Sequence, residues 1–259
     1  MKKWYRLALF NLVVLAFLGS VLRYKINFPL EIIQQENLLH AHSHFAFNGW
    51  VGFLLQVLIL GEFSEGYKKA ALFWDRFFLA GTLLNYAMAA SFLWTGYSPL
   101  SIACSTGALW LTYVFSRKIY ASLPPKRPQQ VSIYFIKAAL FFLLLSSLGP
   151  YALAAIMVSK SSHQYLYHNA LYFFLHFQYN GWFTFSVLGL LTKKLENSAA
   201  FNRKTARIFF FLMAGTCIPS YLFTSLWRHR PSLVTGIIVV SAVLQTAALF
   251  FYGSCCTGT

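Results

Sequence analysis

The sequence predicts an all-α fold: a polytopic membrane helix bundle of about eight transmembrane helices, arranged as a 4+4 parallel internal repeat. Three observations carry this expectation. Hydrophobic residues fill 58% of the 259 positions and charged residues 10%, and the mean hydropathy is positive, outside the usual composition of soluble domains. The apolar residues form runs long enough to cross hydrocarbon, separated by short basic loops. A histidine-bearing motif in the second run returns 132 positions later, in the sixth.

At about 20 residues per span, the runs fall near 4–24, 38–61, 71–95, 100–121, 133–157, 166–192, 207–228 and 232–252. The first has the basic start of a signal peptide (Lys2, Lys3, Arg6), but its length and the lack of a small-x-small cleavage site make it a span. The second carries His40, His42 and His44, and the sixth His168 and His176. Phe78-Leu-Ala-Gly-Thr82 in the third resembles Leu212-Met-Ala-Gly-Thr216 in the seventh, which extends the echo beyond the histidines. Pro124, Pro125 and Pro128 divide the chain into a first four-helix repeat (1–123), a cytoplasmic linker (124–132) and a second repeat (133–259). Four spans separate matched helices, an even number, so both halves share one orientation. Pro150 and Pro219 fall inside spans and are expected to kink them, which membrane helices tolerate. Cys104, Cys217, Cys255 and Cys256 show no Cys-x-x-Cys spacing and read as structural thiols.

The net charge of +15 sits in the loops, where it signals topology rather than a nucleic-acid partner. Sixteen of the 21 Lys and Arg residues fall on the side of the amino terminus; Arg23, Lys25, Lys160, Arg228 and Arg230 fall on the other. The positive-inside rule then makes both termini cytoplasmic in an inner or plasma membrane, with the lipid bilayer as the principal partner. Trp4, Tyr5, Trp94, Tyr97 and Trp227, near run ends, suit interfacial belts.

The candidate site is His40-Ala-His42-Ser-His44-Phe-Ala-Phe-Asn-Gly49-Trp50, echoed by His168-Asn-Ala-Leu-Tyr-Phe-Phe-Leu-His176-Phe-Gln-Tyr-Asn-Gly181-Trp182. An imidazole in hydrocarbon must find a hydrogen bond, a charge or a metal. At about 100° per residue, His40 and His44 share one helix face and His42 points to the opposite flank. If the repeats pack pseudo-symmetrically, His44 and His176 oppose each other at similar depth, the arrangement of an axial pair for a low-spin heme b. Gly49 and Gly181 would let a flat macrocycle, or simply another helix, approach closely beside Trp50 and Trp182. For the glycines alone, helix packing is the simpler reading.

The element around His42, His44, Gly49 and Trp50 resembles the His-x-His-x-x-x-x-Gly-Trp element of the heme-copper oxidase catalytic subunit, especially the cbb-type oxidases and nitric oxide reductases. His168-Asn-Ala-Leu-Tyr-Phe-Phe-Leu is similar to that family's His-Asn-Ala-x-x-Phe-Phe-Leu element. The resemblance implies His42 as a high-spin heme ligand, His44 as a low-spin heme ligand and His168 as a ligand of a second metal such as copper. The chain differs in having fewer helices, in the reversed order of the two elements and in lacking an adjacent His-His pair.

The expected function is thus a heme b redox protein, in electron transfer or in binding or reduction of oxygen or nitric oxide, with a second heme or copper as a further cofactor. Its electron donor would be a quinol or a cytochrome, and a partner membrane subunit is a further expectation. Two alternatives stay open. One is a membrane zinc or copper protein, transporter or hydrolase, using His40 and His44 as an i,i+4 pair. The other is a non-catalytic accessory subunit with structural histidines.

Overall fold

The computed structural model describes residues 1–64, 67, 70–123, 130–159, 163–225 and 231–257, with side chains left undescribed at 225 and 254–257. The linker prolines Pro124, Pro125 and Pro128, the belt residue Trp227 and His229 lie outside the described residues, as do the side chains of Cys255 and Cys256. The described residues are helical and contain no strand. Among the described residues, five helices are long and apolar enough to cross a membrane. The chain divides into two compact units, Met1–Leu123 and Pro124–Thr259.

In the first unit α1 (Lys2–Asn27), α2 (Gln35–Phe63), α3 (Ala71–Thr95) and α4 (Pro99–Ser122) follow one another. α2 packs against both α1 and α3, and α4 packs along α3 and also meets the C-terminal half of α2. The short turn from α3 to α4 is over-determined. Gly96 takes a positive φ of 60° that favours glycine, and Ser98 with Ser101 forms a reciprocal capping box ahead of Pro99. At the opposite end of α3, Asp75 accepts from Lys3 Nζ (2.7 Å), Trp4 Nε1 (2.7 Å) and Tyr67 Oη (3.0 Å), tying α1 to the start of α3. Burial pushes the Tyr67 phenol above its ordinary pKa, and its hydrogen bond to the Asp75 carboxylate adds to this.

In the second unit α5 (Val131–Val158) packs along α6 (164–195), while α7 (Arg203–Cys217) pairs with α8 (Ser232–Thr257). α5 breaks its α-winding at Ser147, one turn before Pro150, whose missing N–H and ring remove the usual bond there. The span expected at 207–228 differs from the structure: its α-helix ends at Cys217, and Pro219–Ser225 continues as a 3₁₀ turn. Proline at 219 forbids the next α-helical bond, and the tighter winding absorbs the break. The start of α5 is capped from outside its own helix, because Glu196 at the end of α6 accepts from the Ser132 main-chain N–H (2.9 Å) and hydroxyl (2.7 Å). The cores are aromatic. Phe45, Phe78 and Phe92 are fully buried in the first unit, and Phe135, Phe177 and Phe185 in the second.

Candidate functional site

In both units the helix that carries the histidines changes winding at the same place in the motif. Phe45–Gly52 of α2, directly after His44, and Phe177–Phe183 of α6, directly after His176, are π-helical. A π turn inserts an extra residue, so main-chain carbonyls turn away from the donors an α-helix would give them. In hydrocarbon an unpaired carbonyl costs several kcal/mol, so each must be accommodated.

The side chains around the two π segments do this in matching ways. A Cβ on Gly52 would stand 2.5 Å from the Phe47 carbonyl oxygen, so glycine leaves room for it. The residue at the same place in the second unit, Thr184, instead donates its hydroxyl to the Tyr179 carbonyl at 2.8 Å. The Asn48 carbonyl accepts from Asn85 Nδ2 of α3 at 3.3 Å, and the Asn180 carbonyl from the Cys217 thiol of α7 at 3.6 Å. In each case the donor lies 37 positions further along the chain. The first unit adds a third capture: Asn11 Nδ2 of α1 donates to the Gly49 carbonyl at 2.6 Å, while Tyr86 Oη holds the Asn11 Oδ1 at 2.8 Å.

The glycines of the two motifs face aromatic rings of their own units. A Cβ on Gly49 would stand 2.7 Å from the Phe45 ring, and one on Gly181 would collide with Phe142. Trp182 is 1% exposed, and the Trp50 Nε1–H is buried without a hydrogen-bond partner among the described residues.

The histidines fall into distinct environments. His40 and His44 share a box with Phe92 and Tyr97: His44 stacks on Phe92 (4.4 Å between ring centres, 18° between planes) and His40 meets Tyr97 edge-on at 4.7 Å. Glu36 reaches to 3.7 Å from His40 Nε2. His42 lies on the opposite flank, against α1, where its Cε1 would be 3.1 Å from a Cβ on Gly19, and its Nδ1 is buried without a partner among the described residues. In the second unit His168 is exposed beside Tyr167 and Tyr172. His176 is 7% exposed, with Nε2 2.8 Å from the Cys217 carbonyl and Nδ1 3.2 Å from Asn180 Nδ2. A carbonyl can only accept, so Nε2 carries the proton and Nδ1 accepts from Asn180.

The structure thus brings His40 and His44 together and separates both from His42; it buries His176 and exposes His168. His44 and His176 belong to different units, as do His42 and His168. Among the described residues no three His, Cys, Asp or Glu side chains converge as a metal-binding group. As imidazole donors for iron, His42 and His44 fit, one with an orphaned buried nitrogen and the other with ring contacts alone. His176 fits only after its Nε2–H leaves the Cys217 carbonyl.

Sequence reasoning missed Asn11, Asn85 and the second role of Cys217. A signal for the first two was present, since an asparagine within a membrane span must find a partner. No known family, curated protein or solved structure matches the chain.

Proposed function

We propose that the chain is an integral membrane protein that binds heme b in the manner of the heme-copper oxidases, with His44 and His176 as candidate iron ligands. Its role would be electron transfer, or the binding or reduction of a diatomic gas. The observation that supports this reading is the pair of π segments that directly follow the two motif histidines, because π turns concentrate at functional sites. The matched positions 44/176, 47/179, 48/180, 52/184 and 85/217 support a 4+4 parallel repeat of eight spans. The basic loops favour cytoplasmic termini in an inner or plasma membrane. When bound, the heme supplies one-electron chemistry and, where an axial position is open, a site for gas. The chain would supply the imidazoles, the aromatic enclosure of Phe92 and Tyr97 and the asparagine that orients His176. His42 and His168 are the candidates for a second heme or copper, and a quinol or cytochrome, with or without a partner membrane subunit, for the electron donor.

The test is a reduced-minus-oxidised optical spectrum of the purified protein with and without carbon monoxide, repeated on His44→Ala and His176→Ala. Sharp b-type bands lost in both variants support the assignment, and a carbon monoxide shift identifies an open iron. A colourless protein from a heme-replete host overturns it. A second reading, an accessory membrane subunit with structural histidines, is favoured by one observation: both ring nitrogens of His176 are already satisfied within the fold. On that reading the His176 variant loses stability and no spectrum changes.

A further inference from the structure

Beneath the π segment of α2 lies a cavity of about 20 Å³, lined among others by Asn48, Gln56, Gly81, Asn85, Leu111 and Thr112. One water needs roughly 10–15 Å³ on this scale, together with two to four polar partners. None of the lining residues is charged, so an ion there would be uncompensated and a neutral occupant is required.

Asn85 states which end of that occupant it needs. The residue is 5% exposed, and its Nδ2 is committed to the Asn48 carbonyl, an acceptor, which fixes the amide orientation. Its Oδ1 is buried without a partner among the described residues. The missing group is therefore a hydrogen-bond donor. Thr112 spends its hydroxyl proton on the Leu109 carbonyl at 2.7 Å, leaving a second acceptor on the cavity wall, and the Gln56 and Asn48 amides can complete the shell. A neutral molecule with two donors and a volume of this size is water.

We propose that the cavity between α2, α3 and α4 is a site for one ordered water that donates to Asn85 Oδ1 and so holds the asparagine that captures the π-segment carbonyl. The site stands on the first unit alone and is independent of heme binding.

Gly81 provides the test. It lies one turn before Asn85 on α3, and a Cβ there would meet only Leu111 Cδ1, at an ordinary 3.6 Å, so small side chains fit without disturbing the fold. Gly81→Ser places a hydroxyl where it can replace the water as donor to Asn85, whereas Gly81→Ala fills the space and leaves Oδ1 unpaired. A high-resolution density map of the full chain in lipid nanodiscs is expected to show a water peak within hydrogen-bond distance of Asn85 Oδ1. Gly81→Ala lowers the midpoint of thermal unfolding by several degrees, and Gly81→Ser restores most of the loss. An empty cavity in the map, or xenon occupying it under pressure, overturns the proposal. So do equal unfolding midpoints for the alanine and serine variants.

Discussion

The Asn85 amide donates to the main-chain carbonyl of Asn48 across 3.3 Å, bridging α3 to the π-wound turn of α2. The same carbonyl position in the second unit, at Asn180, is held by a thiol from Cys217. Two chemically different donors thus serve one geometric need, and several predictions rest on that need.

Replacing Asn85 by Leu removes the donor and leaves the Asn48 carbonyl buried and unpaired. The expected cost is about 1–3 kcal/mol, read as a lowered midpoint of unfolding in mild detergent. Cys217→Ser keeps a hydrogen-bond donor at the matching position in the second unit and is expected to cost less than Cys217→Val. Equal losses for these two Cys217 variants would show that the thiol contact carries no weight.

Asn11 and Tyr86 act as one unit, because Tyr86 holds the amide that reaches the Gly49 carbonyl. A double-mutant cycle of Asn11→Ala and Tyr86→Phe is expected to show a coupling of roughly 0.5–3 kcal/mol. Strict additivity would remove Tyr86 from the network.

Gly52→Ala drives a methyl group against the Phe47 carbonyl and must unwind or shift the π turn. Overpacking of this kind costs about 1–3 kcal/mol. Thr184→Val, at the matching place, introduces no clash but leaves the Tyr179 carbonyl unpaired. It is expected to cost a comparable amount in the same unfolding assay, about 1–3 kcal/mol; no change in that assay would remove the hydroxyl from the π turn's support.

Asp75 gathers Lys3, Trp4 and Tyr67 at the loop end of α3. Lys3 is largely exposed, with its side chain 61% accessible, so Lys3→Ala removes a screened pair worth about 0–1 kcal/mol. Asp75→Leu also strands the part-buried Trp4 N–H and is expected to cost clearly more. Thermal unfolding at low and high salt checks this: raising salt should narrow the gap between wild type and Lys3→Ala and leave most of the Asp75→Leu loss in place.

The helices were legible because their signal is local. The apolar runs and the prolines at 150 and 219 act within a turn or two of themselves. The division of His40 and His44 from His42 was equally legible, since helical rotation puts them on opposite flanks whatever the neighbours are. The repeated Asn-Gly-Trp was visible as well, but its winding was not. An α turn and a π turn differ by where a few carbonyls point, and that depends on which donors stand opposite them.

Those donors come from elsewhere in the chain. Asn11, Asn85 and Cys217 lie on other helices, and nothing within a turn of His44 or His176 names them. The same holds for the fate of the motif itself. Phe142 occupies the face of Gly181, and the Cys217 carbonyl engages His176, because α5 and α7 happen to pass there. By itself the sequence determined an all-helical membrane chain with paired histidine motifs, through composition and periodicity. Only the tertiary structure decided which imidazoles keep a free nitrogen and which are already satisfied, because a hydrogen bond across helices is set by packing rather than by spacing along the chain.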